Sequence, residues 1–339
     1  MRAVGYQRSL PPTDEESLVD IQLPDPVATG RDLLVSVRAV AVNPIDTKVR
    51  RRAEPAPGEW SVLGFDASGV VVGVGSECTL FSVGDEVFYA GWAGRSGSNA
   101  ELQLVDERVV GPKPSTLDFA SAAAMPLTTL TAWEMLFDRL SMPRDGEPVP
   151  STLLVVGAAG GVGSMAVQLA RQLTAFTVLG TASRPVTREW VLDRGAHHVV
   201  DHGRPLATEV RGLHVPPVDV VFSTTQTDRH WSELAELIAP QGRIGLIDDP
   251  EPVDIRLLKQ KSVSVHWEQM ATRPKFGTAD MVRQHEILSE AAELVDQGVL
   301  RSTMTESFGV INAANLRRAH AQLESGTTRG KVVLADWSS

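Results

Sequence analysis

From residue 152 to about residue 267 the chain alternates between short apolar runs and stretches with a helical period. The apolar runs are TLLVVG (152–157), FTVLGTA (176–182), HHVVD (197–201), VDVVFS (218–223), GRIGLI (242–247) and SVSVHW (262–267). Helical spacing is clearest at 162–173, 186–194 and 230–239. Near-continuous apolarity marks strands buried on both faces, and helical crossovers between them make the sheet parallel. The pattern predicts a doubly wound α/β domain built on six parallel strands. The N-terminal third reads differently. DLLVSVRAVAV (32–42) alternates, with Val35, Val37, Ala39 and Ala41 on one face. SGVVVGVGS (68–76), GDEVFYAG (84–91) and NAELQLVDERVV (99–110) follow, with turn residues between them. Such spacing predicts a small, strongly bent β-barrel. Over 117–140 the period becomes helical, and Asp118 stands where an N-cap belongs. Two helical stretches near 279–297 and 312–325 and a last strand at 330–335 are expected to pack back on the N-terminal domain.

Bulk properties narrow the classes. The chain has 339 residues, 42% hydrophobic and 22% charged, with a mean hydropathy of −0.05, which suits a globular protein of two domains. A net charge of −10 and a pI near 5.3 argue against nucleic acid or an anionic membrane as the main partner. Cys78 is the single cysteine, so no intrachain disulfide exists. The N-terminus has no apolar signal region, and no run reaches the roughly 18 apolar residues of a membrane span. The expectation is a cytoplasmic protein.

Candidate chemistry begins in LLVVGAAGGVGSMAVQLAR (153–171), where a buried strand runs into glycines and then a helix. Ala158-x-Gly160-x-x-Gly163 stands at the place of a dinucleotide fingerprint, with further glycines at 157 and 161. Gly160 lets the backbone approach a pyrophosphate, Gly163 lets the helix pack on the sheet, and the helix N-terminus favours negative charge. Gly157, Ala158, Gly160, Gly161, Val162 and Gly163 are therefore candidate cofactor contacts. The residue ending the second strand, about 20 positions on, reads the adenosine ribose. GTASRPVTREW (180–190) carries no carboxylate there but Ser183 and Arg184. A hydroxyl beside a guanidinium suits a 2′-phosphate, so NADP(H) is the expected cofactor. HHVVDH (197–202) groups His197, His198, Asp201 and His202, but strand alternation sends neighbours to opposite faces. A surface cluster is expected there, not a metal site.

These segments resemble the medium-chain dehydrogenase/reductase superfamily, on its quinone-oxidoreductase side. VNPIDTKVR (42–50), LGFDASGVVVGVG (63–75), VGDEVFYAG (83–91), AAAMPLTTLTAWEML (122–136), GAAGGVGSMAVQLAR (157–171) and ESGTTRGKVVL (324–334) look like its signatures, in order. TASRPVTREWVLDRGAHHVVDH, LIDDP and INAANLRRAHAQLESG are closer still to a bacterial zinc-type alcohol dehydrogenase-like subgroup. The resemblance implies a GroES-like catalytic domain at 1–122, a Rossmann domain at 123–268 and a C-terminal return at 269–339, with the active site in the cleft between domains. It also locates the zinc ligands of the true alcohol dehydrogenases, and here those places hold Asn43, Phe65 and approximately Leu127. Asn43 and Phe65 supply neither thiolate nor imidazole, so no metal is expected.

Without a metal, hydride transfer suits acceptors that spread negative charge over a conjugated system, such as quinones and α,β-unsaturated carbonyls. Asn43 is the candidate for a hydrogen bond to ribose or substrate oxygen, and Thr128 for a place near the nicotinamide. Asp46 and Lys48 are candidates for ordering that corner, although Asp46 also reads as a carboxylate tying the NPIDTK loop together. Tyr89 is the candidate proton donor. Ser223 and Ile247, at two strand ends, and Lys331, in the last strand, complete the cofactor candidates. The reading is a zinc-independent NADPH-dependent quinone or enone reductase. Its alternatives are a zinc-type alcohol dehydrogenase and a catalytically silent NADP(H)-binding protein. KSVSVHWEQM (261–270) is expected at a sheet edge, with Val263 and Val265 on one face and Ser264 and His266 on the other. A free edge and the resemblance to dimeric quinone reductases point to a homodimer.

Overall fold

The structure, a computed structural model, describes residues 1–144 and 150–337. Its contacts divide the chain into two compact units, Met1–Leu130 with Ala271–Ser339, and Thr131–Met270.

The first unit is a bent barrel. Asp32–Val42, eleven residues long, is its axis. One edge pairs antiparallel with Asp66–Val74. The other edge is shared, by Leu102–Asp106 along its first half and by Lys331–Ala335 along its second. Register shifts between Leu34/Val35 and between Val37/Ala39 bend the strand so that it can serve all three partners. Glu86–Ala90 and Val110–Pro112 extend one side and Met304–Ser307 the other. Val35, Val37, Val71, Val87, Tyr89 and Leu334 meet in the core. A separate three-stranded sheet of Val19–Gln22, Arg2–Tyr6 and Ser61–Val62 adds to this unit.

The second unit is the six-stranded parallel sheet. Its order is His198–Val200, Thr177–Thr181, Thr152–Val156, Val218–Ser223, Ile238–Leu246 and Ser264–Trp267. In chain order this is 3-2-1-4-5-6, the doubly wound arrangement whose strand order reverses beside the first strand. The helices Gly161–Leu173, Pro185–Asp193, Leu206–Arg211 and Thr227–Leu237 form the crossovers. Ser264–Trp267 is an edge strand, as its alternation suggested.

Three local features differ from the pattern reading. The stretch 117–140 is not one helix: Phe119–Ala123 stops and Pro126–Trp133 restarts. Pro126 lacks an N–H and disfavours helical geometry at Met125, so it serves as a first helical residue instead of an interior one. Asp118 does cap the first piece, accepting from Ser121 N at 2.7 Å. Pro44–Arg52 is helical, a short element hidden inside the VNPIDTKVR motif. The first tail helix begins at Arg283, several residues late. Among the described residues no helix is long and apolar enough to cross a membrane.

Candidate functional site

In the second unit the first strand ends at Val156 and the chain turns through Gly157, whose φ of +75° is left-handed. The turn is pinned from the neighbouring strand: Gly157 N donates to Thr181 Oγ1 at 3.0 Å. The glycines then divide by what surrounds them. A Cβ on Gly163 would sit 2.4 Å from Gly157 O and 2.7 Å from Ala158 Cα, so the fold itself forbids it. A Cβ on Gly160 would meet nothing closer than Gly157 O at 3.5 Å, and its φ of −74° is ordinary. The protein leaves that space open at the first N–H groups of the helix Gly161–Leu173, a place that suits an anion. Ala158 and Gly163 are buried, while Gly157, Gly160, Gly161 and Val162 remain partly accessible. The turn thus fits the pyrophosphate of a dinucleotide.

Ser183 and Arg184 follow the second strand and are both exposed, with Arg184 at the N-cap of Pro185–Asp193. Ile247 is half-buried just past the fifth strand. Ser223 is turned inward. Thr227 Oγ1 donates to Asp248 Oδ1 at 2.6 Å, so the Ser223 hydroxyl, 2.8 Å away, donates to Thr227. Asp248 also accepts from Thr227 N at 2.9 Å, which satisfies the start of the helix Thr227–Leu237 after the left-handed Gln226. The Ser223 side chain therefore builds the strand end. In HHVVDH, His197 is exposed, but His202 is half-buried with Nδ1 3.0 Å from Thr181 Oγ1. That histidine belongs to the glycine turn's support, not to a surface cluster.

The first unit holds a buried polar cluster on residues brought from four segments. Asn43 precedes the helix Pro44–Arg52, Asp66 begins a barrel strand, and Lys331 begins the last strand. Lys331 Nζ donates to Asn43 Oδ1 at 2.5 Å, Asp66 Oδ2 at 2.9 Å and Val42 O at 3.0 Å, which uses all three of its protons. Asn43 Nδ2 donates to Asp66 Oδ2 at 2.8 Å and Ala41 O at 3.3 Å. Asp66 Oδ1 accepts from Leu127 N at 2.7 Å and so caps the helix Pro126–Trp133 from outside. Burial raises the Asp66 carboxyl above the ordinary range, and Lys331, Asn43 and the Leu127 amide oppose it. Asp46 lies alongside, accepting from Asn43 N at 2.8 Å and Gly64 N at 3.0 Å. It ties the NPIDTK loop together. Burial is the largest influence on its carboxyl, which is pushed up to about 7.

This geometry revises several expectations. The Asn43 amide nitrogen is committed to Asp66 and Ala41 O, which leaves this buried side chain no donor for an oxyanion. Lys331 spends its three protons on Val42 O, Asn43 and Asp66. Tyr89 is fully buried in the barrel and donates to Gln103 Oε1 at 2.8 Å, with burial raising its phenol. It is a core residue, where a proton donor would need access to substrate. Lys48 is half-buried on its helix, and the buried Thr128 donates to Met125 O at 3.0 Å. Asp66, Thr181 and Asp248 escaped the pattern reading. Asp66 stands directly after Phe65 in GFDASG, and that adjacency was its one available signal.

The residues do not fit a catalytic zinc. Phe65 and Leu127 pack on the barrel core, and the electron pairs of Asn43 Oδ1 and Asp66 Oδ2 already hold an ammonium. Among the described residues no three His, Cys, Asp or Glu side chains gather where they could hold a metal ion.

Comparison with known proteins bears on these sites. Residues 29–115 match the Alcohol dehydrogenase GroES-like domain and residues 194–334 the Zinc-binding dehydrogenase family. The "Zinc-type alcohol dehydrogenase-like protein" of Staphylococcus epidermidis is 36% identical over 98% of this chain and 99% of its own. The quinone oxidoreductase of Pseudomonas aeruginosa is 33% identical over 90% of this chain and 91% of its own. The solved structure of a proposed zinc-dependent alcohol dehydrogenase from Rhizobium etli has a TM-score of 0.96 and 56% identity, covering 100% of this chain and 99% of that one.

Two outcomes follow from the geometry. Gly160→Ala should leave stability within about 1 kcal/mol of the parent while cutting dinucleotide affinity at least about tenfold, whereas Gly163→Ala should cost about 1–3 kcal/mol of stability through its backbone clash. Paired denaturation and cofactor titration check this, and equal behaviour of the two variants would contradict it. Asp46, raised to about 7, favours the folded state most below its unfolded value and loses that contribution as pH climbs through 7. The stability of the parent relative to Asp46→Asn should therefore fall by roughly 1–4 kcal/mol between about pH 4 and pH 7.5. A pH-independent difference in urea unfolding would refute a buried, protonating carboxyl.

Proposed function

The chain belongs to the medium-chain dehydrogenase/reductase superfamily of oxidoreductases, and on that premise we propose that it is a zinc-independent, NADPH-dependent reductase of quinones or α,β-unsaturated carbonyls. The observation that carries this reading is the Lys331 ammonium saturated between Asn43 and Asp66. The cluster offers a substrate oxygen neither a metal nor an uncommitted proton. A carbonyl whose negative charge would stay on one oxygen gains nothing there. A conjugated acceptor delocalises that charge and needs no electrophile on its oxygen. A bound nicotinamide would supply the hydride. The residues do the rest. Gly160 and the N-terminus of Gly161–Leu173 accommodate the pyrophosphate, Ser183 and Arg184 suit a 2′-phosphate, and Asn43 Oδ1 accepts from a hydroxyl. With the cluster's protons committed, water delivers the proton to the reduced product.

We further propose a cytoplasmic homodimer. The outer edge of Ser264–Trp267 lies at the end of the sheet, and Trp267, 58% exposed, Ile255 and Leu257 present apolar surface on the same segment of chain. Light scattering should give twice the 36.5 kDa chain mass, and a monomer at every concentration would contradict this.

The function is tested by an acceptor panel with NADPH and NADH, with and without phenanthroline. Quinones and enones should be reduced and simple ketones should not, with chelator making no difference. Arg184→Asp should shift preference toward NADH by roughly 1–3 kcal/mol. One equivalent of bound zinc, with turnover lost on chelation and restored by metal, would overturn the reading.

A further inference from the structure

Glu134–Arg139 is a π-helix, closed by Leu140 N donating to Met135 O at 2.8 Å, five residues back. In an α-helix, residues five apart point about 140° away from each other around the axis. The π winding brings them to nearly the same face. Glu134 and Arg139 are five apart, and both hydrogen-bond Glu268, the residue after the edge strand Ser264–Trp267. The helix lies hard against the sheet. A Cβ on Gly245, in the fifth strand, would sit 2.2 Å from Met135 Sδ. Arg243, two residues earlier, donates to Leu140 O and to Ser141 O, the latter at 3.2 Å, and so satisfies the helix end. Glu268 N donates to Leu246 O at 3.1 Å, which fixes the carboxyl from the strand side as well.

Inside this contact the proton count is decisive. The Glu134 and Glu268 side chains are wholly buried. Arg139 Nε donates to Glu268 Oε2 at 2.7 Å. Glu268 Oε1 is buried too, and among the described residues no N–H donor reaches it. Its carboxyl is bonded instead to that of Glu134. Two carboxylates have only acceptors, so a bond between them requires a proton. Burial pushes the Glu268 carboxyl up to about 8, the charge and hydrogen bond of Glu134 add to this, and Arg139 opposes it. Arg243 and His266 are the charged or titratable groups facing the contact from the fifth and sixth strands. His266 gives up its proton below the ordinary range, through burial and then Arg243 and Arg139, and its Nε2 lies 2.9 Å from Ser264 Oγ. Asp138 shares the helix, and the Arg144 guanidinium after it stacks 4.8 Å from the Trp133 ring centroid.

We propose that Glu134 and Glu268 hold one proton between them, and that this proton is a pH-sensitive latch fastening the sheet's edge strand to the π-helix. With the proton in place, the pair is a hydrogen bond across the contact. Without it, two buried carboxylates face one guanidinium and push the helix and the strand end apart. A carboxyl raised by folding favours the closed form most below its unfolded value, and that contribution is lost as pH climbs to about 8. The latch therefore grips in acid and slackens toward alkaline pH. It depends on neither the cofactor reading nor the dimer reading above.

The full-length protein, labelled with carbon-13 at the glutamate side-chain carboxyl, is titrated by NMR beside Glu134→Gln, in which an amide donor replaces the shared proton. The label leaves the buried aspartates silent. In the parent one glutamate should titrate above about pH 7, where ordinary glutamates are already ionised, and in the variant none should. Amide hydrogen exchange over residues 264–268 reads the latch itself. Corrected for the intrinsic exchange rate, protection in the parent should fall about tenfold per pH unit between about pH 6 and pH 7.5, the slope of one proton, and stay level in the variant. Glutamate midpoints all below about pH 6 refute the shared proton. A high midpoint with protection that moves equally in both proteins refutes the latch. Should Glu134→Gln fail to fold, Glu268→Gln sets the same amide against the other carboxylate, and the parent's own glutamate midpoint still decides whether the proton is there.

Discussion

A single buried ammonium organises the first unit. Lys331 bonds Asn43 and Asp66 across 288 and 265 residues of chain, and breaking such a pair by removing one partner costs about 3–5 kcal/mol because the survivor stays charged and dry. The last strand, the loop before Pro44–Arg52 and the barrel strand Asp66–Val74 must therefore be in place together. Through the Leu127 amide the same carboxylate also starts the helix Pro126–Trp133. Hydrophobic burial makes a barrel here, but the cluster selects which polar groups face each other inside it.

The cluster also limits the chemistry. Asp46 and Asp66 bring two carboxyls into the interior against one ammonium, and burial raises both above their ordinary range. Every proton on Lys331 Nζ and Asn43 Nδ2 has an internal acceptor. What remains for a ligand is acceptor capacity, at Asn43 Oδ1.

In the second unit hydroxyls take the organising part. Thr181 holds the glycine turn by the Gly157 amide, and Thr227 and Asp248 close the end of the fourth strand with Ser223. These side chains fix backbone at the carboxyl ends of the strands and leave little of their own polarity for a ligand. The glycines then separate into those the fold needs, Gly157 and Gly163, and one it does not, Gly160. A glycine that no protein atom requires is the stronger sign of a ligand.

Much of the fold was legible from the order of apolar positions. Asp32–Val42 and Val218–Ser223 lie where alternation and apolar runs put them, because strand burial is decided by neighbours one and two residues away. The fingerprint turn was legible too, since glycine's freedom and the helix that follows it are local properties. Pro126 marked a helix break that periodicity alone passed over. The polar partners were not legible. That Asn43 would spend its amide on Asp66, that Lys331 would be consumed internally, and that His202 would lean on Thr181 depend on atoms from elements far apart in sequence. Periodicity determines which side of a strand faces inward; only the packed structure decides which buried donor meets which acceptor, because each such group must find a partner or bear the full cost of lost water.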